Sequence, residues 1–156
     1  MKELRYMRYA EVAATFSKDP STKVGAVAID DDYRVLATGY NGFPRGVIDS
    51  EERLCNRSLK YALTVHAESN LVAQSAYCGT SIRGSTVLVS SLFPCVECAK
   101  LLVQAGVKRI IAPKISNERW QESNELAKLI FAESNVDVVE VDYSPSDIPR
   151  ADNPPN

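Results

Sequence analysis

The sequence predicts an α/β fold in which the later strands of one sheet run parallel and helices cover both faces. Three observations carry that prediction. From about residue 65 onward, short β-branched runs alternate with helical stretches, the pattern of strand–helix–strand units. Before that point, Val24 to Ile29 and Val35 to Tyr40 flank the turn Asp30-Asp31-Asp32 and read as an antiparallel hairpin. The 156-residue chain shows no internal repeat and fits one domain, long enough to bury about two-thirds of the surface its unfolded form exposes.

In chain order, residues 2–17 read as an amphipathic helix with Leu4, Met7, Val12 and Phe16 on one side, broken by Ser17-Lys18-Asp19-Pro20. The hairpin follows, and Asn41 to Gly46 has strong turn chemistry. Residues 49–60 are highly charged and fit either a short helix or an ordered loop. A helix over 65–76 carries Val65, Leu71, Val72 and Ala76 among polar residues, and Cys78-Gly79 closes it. Thr86 to Ser90 is the third strand. The next helix opens at Cys95, runs through Ala99, Leu101, Leu102 and Val103, and ends near Gly106. Pro94 suits its start, where a missing N–H costs nothing. Val107 to Ala112 is the fourth strand and Pro113 stops it. Residues 118–134 form a helix with Leu126, Leu129 and Ile130 as its apolar stripe, and Val136 to Val141 is the fifth strand. The expected domain covers residues 1–143, and the proline-rich tail over 144–156 is expected to be extended or mobile.

Composition narrows the function classes. Hydrophobic residues make up 45% of the chain and charged ones 24%, the proportions of an ordinary globular protein. There is no run of about 18 apolar residues and no signal-peptide pattern, so no membrane partner is expected and the expected location is cytoplasmic. The net charge is −2 and the basic residues are scattered, which argues against a nucleic-acid polymer and for a small-molecule substrate. The four cysteines do not suggest a disulfide scaffold, because two of them have a better use.

That use is metal binding. His66-Ala67-Glu68 and Pro94-Cys95-Val96-Glu97-Cys98 each stand at a predicted helix start, where free N–H groups and positive partial charge favour thiolates. His66, Cys95 and Cys98 make three zinc ligands, and a catalytic zinc site leaves its fourth position to water. Cys-x-x-Cys also fits a redox pair or half of a structural site. His66 is the only histidine, however, so a site of two cysteines and two histidines is impossible, and a redox pair leaves His-x-Glu unexplained. Zinc can lower the pKa of a bound water towards neutrality, and Glu68, not needed as a ligand, can take the water's proton and pass it to a substrate. The pattern H-x-E…P-C-x-x-C is a signature of zinc deaminases.

The wider sequence resembles deoxycytidylate (dCMP) deaminases, within the cytidine deaminase fold group. The resemblance spans roughly residues 5–141. Its carriers are Asp19-Pro20-Ser21-Thr22-Lys23-Val24-Gly25-Ala26, the loop from Gly39 to Gly46, His66-Ala67-Glu68, and Leu92 to Lys100. It implies a three-layer α/β/α sandwich around a mixed five-stranded sheet, one catalytic Zn2+ per chain, and hydrolysis of dCMP to dUMP and ammonia, supplying the precursor for dTMP. It carries over His66, Cys95 and Cys98 as zinc ligands and Glu68 as the proton shuttle. Asn41 matches a sugar contact, Ala67 offers backbone to the base, Lys23 is a phosphate or loop-ordering residue, and Arg119-Trp120 resembles a gate over the base. Trp120 as an ordinary core aromatic is an equal alternative. Gly39, Tyr40, Gly42 and Arg45 lie in what resembles an allosteric loop, with dCTP activating, dTTP inhibiting, Mg2+ accompanying the triphosphates, and a homohexamer as the assembly. The physical expectation for this loop is that its three glycines permit positive φ and close backbone approach to a ligand. Relatives often carry extra Cys and His residues for a second zinc, and Cys55 alone stands in that region here. Competing readings are a dual dCMP/dCTP deaminase, a deaminase of another base, and a zinc-binding protein without turnover.

Overall fold

The computed structural model describes residues 1–115 and 117–142, so the tail expected over 144–156 lies outside the described residues. A 3₁₀ turn over Glu3–Tyr6 leads into α1 (Met7–Thr15), followed by the hairpin strands β1 (Gly25–Ile29) and β2 (Val35–Tyr40). The ambiguous charged stretch is two short helices, α2 (Glu51–Cys55) and α3 (Arg57–Leu63), started by Ser50 and Asn56, whose side chains accept from Arg53 N–H and Leu59 N–H. Then come α4 (Ala67–Cys78), β3 (Thr86–Val89), α5 (Val96–Gln104), β4 (Arg109–Pro113), a 3₁₀ turn (Glu118–Trp120), α6 (Gln121–Glu133) and β5 (Asp137–Val141). Gly79 ends α4 at φ 68°, a left-handed value that glycine takes without penalty.

The sheet is five-stranded in the order β2-β1-β3-β4-β5. β1 runs antiparallel to both β2 and β3, and β3, β4 and β5 are parallel, joined by α5 and α6. Side chains alternate between its faces. Ala26, Ala28, Val87, Val89, Ile110 and Ala112 pack with residues of α4, α5 and α6. Val27, Ile29, Leu88 and Ile111 pack with Met7 and Ala10 of α1. Every residue of β1 and β3 is buried, as expected of strands covered on both sides. The result is the three-layer α/β/α arrangement with a mixed sheet. Among the described residues, no helix is long and apolar enough to cross a membrane.

Two apolar stripes differ from the sequence reading. On α1, Val12 and Phe16 are 56% and 63% exposed, while Met7, Ala10, Ala13 and Ala14 are buried. The reason is closeness: a Cβ on Gly25 would lie 1.8 Å from the Ala10 carbonyl oxygen, so α1 meets β1 backbone to backbone and only small side chains fit between. On α6, Leu126 and Leu129 are 46% and 52% exposed. Asn124, Ala127 and Phe131, spaced i, i+3 and i+7, face inward instead.

Candidate active site

A cavity opens at the end of the sheet where β3 stops and where β1 begins beside the end of β2. The turn after β3 is tied to β1: Gly25 N–H donates to Ser90 Oγ at 2.9 Å, and Ser91 Oγ donates to the Lys23 carbonyl at 3.1 Å. Ser91 takes φ 68°, a strained value for a residue with a side chain, and turns the chain out of the sheet towards Cys95.

Two helix starts meet over this turn. His66 is the N-cap of α4 and Cys95 the N-cap of α5, and neither side chain caps its own helix. Pro94 therefore precedes the cap of α5 and lies outside its first turn. His66 Nδ1 lies 3.4 Å from Cys95 Sγ and 3.5 Å from Cys98 Sγ. Tetrahedral zinc with ordinary Zn–N and Zn–S bonds would set these separations at roughly 3.6 Å, so the donor set fits the ion. All three donor atoms lie within 4.8 Å of one another. Cys55 and Cys78 are exposed and outside this group. α4 reaches the site because Gly39 lets it sit on β2: a Cβ there would come within 2.2 Å of the Ala67 carbonyl oxygen and 2.5 Å of Leu71 N. Asn70 Nδ2, donating to the Tyr40 carbonyl at 2.7 Å, fastens the same contact.

Charge at the site follows from burial. Glu68 is buried in the first turn of α4, and that burial pushes its carboxyl up to about 7, against the opposing attraction of His66. Among the protein groups alone, the two thiols share charge unequally. The Cys98 thiol donates to Cys95 and, with His66, holds Cys95 down to about 4. The same hydrogen bond and burial keep Cys98 protonated well above the usual thiol range. A cation bound between them would take up both sulfurs as thiolates and release protons.

The expected substrate residues are distributed unevenly. Asn41, Ala67, Arg119 and Trp120 line the cavity with His66, Glu68 and Cys95. Asn41 is buried and holds the neighbouring loop, with Oδ1 accepting from Val24 N–H at 2.8 Å and Nδ2 donating to the Thr22 carbonyl at 2.9 Å. Trp120 is half-buried and stands edge-on to His66, with ring centres 6.1 Å apart, so it is part of the cavity wall and no core aromatic. Arg119 reaches Tyr61, whose hydroxyl accepts from its guanidinium at 2.7 Å, and lies over both the Tyr61 and Trp120 rings. Of the two roles expected of Lys23, the structure places it for ordering the loop. Its ammonium donates to the Ser17 carbonyl, and it is not among the cavity residues.

The cation that lines the cavity in its neighbourhood is Lys60, paired with Asp19 at 3.0 Å, their side chains 6% and 11% exposed. Sequence reasoning missed Lys60 and Tyr61, because no spacing signal links α3 to residue 19 or to residue 119. Of Gly39, Gly42 and Gly46, only Gly46 has positive φ. Gly42 pairs with Val65 just before His66, the Tyr40 ring lies tilted against Phe16 with centres 6.0 Å apart, and Arg45 bonds Gln74 and lies over Tyr77 on α4.

A buried carboxyl beside a histidine and two cysteines, at the end of a mixed α/β/α sheet, is the equipment of a zinc-dependent hydrolytic enzyme. The family model described as the cytidine and deoxycytidylate deaminase zinc-binding region matches residues 1–114, and the chain belongs to that family. It is 35% identical over 147 residues to an uncharacterized deaminase in the luxG 3′ region of Aliivibrio fischeri, covering 92% of this chain and 94% of that one. It is likewise 35% identical over 133 residues to deoxycytidylate deaminase of Homo sapiens, covering 81% of this chain and 71% of the relative. The solved dCMP deaminase of cyanophage S-TIM5 in complex with dCMP and dUMP superposes with a TM-score of 0.70 at 28% identity, over 90% of this chain and 96% of that one.

Proposed function

We propose that this chain hydrolyses dCMP to dUMP and ammonia, with His66, Cys95 and Cys98 holding one zinc ion and Glu68 moving the protons. The observation that carries the reading is a buried Glu68 carboxyl in the cavity lined by His66 and Cys95, which converge with Cys98 into one group of three donor atoms. Family membership supports deamination, and the relatives named for deoxycytidylate, with the phage structure bound to dCMP and dUMP, support the substrate.

When bound, zinc supplies the Lewis acidity that makes water nucleophilic near neutral pH. Glu68 takes a proton from the attacking water and delivers it to the ring nitrogen beside the reacting carbon. A second proton goes to the amine, which leaves as ammonia, so one water is consumed and a C–N bond is exchanged for C=O. A carboxyl brought near neutrality by burial can both accept and return a proton at working pH. Ala67 offers backbone to the base from the first turn of α4, and Trp120 walls the space beside His66. Asn41 contacts the sugar, Arg119 closes over the base, and the 5′-phosphate goes to the part of the cavity bordered by Ser21, Thr22 and Lys60 in preference to Lys23.

Regulation belongs to the same proposal: dCTP activates and dTTP inhibits, each with Mg2+, through the 39–46 loop of a cytoplasmic homohexamer. Supporting this, the loop runs from Asn41 in the cavity wall to Arg45, which contacts the helix that carries Glu68. Ammonia release measured side by side on dCMP, dCTP, CMP and deoxycytidine tests the substrate. The highest kcat/KM is expected for dCMP, and equal values for dCMP and deoxycytidine would remove the phosphate site. Rate curves for dCMP with dCTP and with dTTP test regulation, and unchanged curves would contradict it.

A further inference from the structure

We infer that Ser123 and Asn124, in the first turns of α6, are positioning residues that hold the Cys95-x-x-Cys98 segment in its metal-binding shape. The inference rests on the proposed reading that Cys95 and Cys98 bind zinc.

A helix start leaves backbone N–H groups without partners inside the helix, and a cap side chain ordinarily accepts from one of them. Cys95 occupies the cap of α5 but makes no such bond, its sulfur being turned to His66 Nδ1. The acceptor comes from another helix: Val96 N–H donates to Ser123 Oγ at 2.9 Å. On the other side of Cys95, Asn124 Nδ2 donates to the Phe93 and Pro94 carbonyls, both at 3.0 Å. The two carbonyls before Cys95 and the amide after it are thus gripped by two consecutive residues of α6.

Asn124 is 3% exposed, and an amide in a helix interior is tolerated at such a position only where its hydrogen bonds are made. Its amide nitrogen donates twice to the ligand segment. Both residues lie beyond the family match at residues 1–114, so the ligands come from the matched region and their support from outside it. The histidine side of the site is fastened differently, through the pairing of Val65 with Gly42 and the Asn70 bond to Tyr40.

The test uses the full, zinc-loaded chain and reads two properties besides activity: the rate of zinc release to a chelator, and the visible spectrum of the Co2+-substituted protein. Asn124→Asp keeps volume and the Oδ1 acceptor but replaces the donor with a group that repels two carbonyls. It is expected to release zinc about 10–100-fold faster, the range seen when groups that orient metal ligands are removed. Its Co2+–thiolate bands are expected to shift. Ser123→Ala should change both readouts in the same direction, and Ser123→Thr, which keeps the hydroxyl, should restore them. Ile111→Val, on the opposite face of the sheet where it packs with Met7 and Ala10, serves as a control that lowers melting temperature away from the segment.

Release from Asn124→Asp within about two-fold of wild type would overturn the clamp, as would equal acceleration in Ile111→Val. Should Asn124→Asp not fold, the Ser123 pair decides: no difference between the alanine and threonine variants overturns the inference. Full zinc retention by Cys95→Ser would instead overturn the ligand assignment, and the clamp with it.

Discussion

The floor of the cavity and its mouth are held by different kinds of bond. On the floor, His66, Glu68 and Cys95, with Cys98 one turn along α5, stand on helix starts fastened to backbone: α4 seated on Gly39, Val65 paired with Gly42, and the Cys95 turn tied to β1 and α6. At the mouth, side chains hold one another. Lys60 pairs with Asp19, whose Oδ1 also accepts from Ser21 N–H and Thr22 N–H at 2.8 and 3.0 Å, and Arg119 leans on Tyr61. Backbone ties to a packed core fix donor atoms to the tolerance a metal demands. Side-chain pairs can part without moving the backbone, which suits a rim that must admit and release a charged ligand.

The contrast can be broken most decisively at the floor. Cys95→Ser should lose most of its zinc, and metal analysis finding one ion per chain would show that the floor does not depend on that sulfur. The next largest effect belongs to Lys60→Met, which leaves the Asp19 carboxylate without its counter-charge in a nearly closed setting, held only by the Ser21 and Thr22 amides. Breaking one half of a buried pair should cost about 3–5 kcal/mol, read from urea unfolding. A cost below about 1 kcal/mol would mean that the pair behaves as a surface contact. Tyr61→Phe removes only the hydroxyl that receives Arg119. A rise in KM for dCMP of about five-fold, with kcat and melting temperature nearly unchanged, corresponds to one such hydrogen bond. A fall in kcat alone would place Tyr61 on the chemical step.

The smallest effect is a change in the shape of a pH profile. Burial pushes the Asp19 carboxyl up, but the Ser21 and Thr22 amides and the Lys60 ammonium outweigh it and hold the group below its ordinary value of 3.8. A depressed carboxyl contributes stability above its unfolded pKa and loses it as pH falls through the folded one. Wild type should therefore weaken below about pH 4 through this group, and Asp19→Asn, less stable throughout, should show a flatter acid limb. Parallel profiles for the two proteins would show that Asp19 is not depressed.

The same division explains what could be read in the sequence. The floor is built from short local patterns, so His66-x-Glu68 and Cys95-x-x-Cys98 announce themselves, and the alternation of strands and helices carries the topology. The mouth joins residues 41 and 58 positions apart, Asp19 with Lys60 and Tyr61 with Arg119, and nothing in local spacing marks such pairs. Lys23 stands beside two hydroxyls, a pattern that fits a phosphate or a loop-ordering role alike, and its ammonium turns to the Ser17 carbonyl. The stripes on α1 and α6 were misjudged because large apolar residues weigh most in a helical pattern, whereas α1 is seated by alanines over Gly25 and α6 carries Asn124 inward to grip the loop before Cys95.

The account turns on Glu68 serving the chemistry and not the metal. The direct test is ammonia release from dCMP by wild type and Glu68→Gln, with zinc measured in both preparations. The expected result is one zinc per chain in each and a loss in kcat of about 10²–10⁴-fold or more in the variant. A variant that carries its zinc and keeps more than about a tenth of the wild-type rate would contradict it.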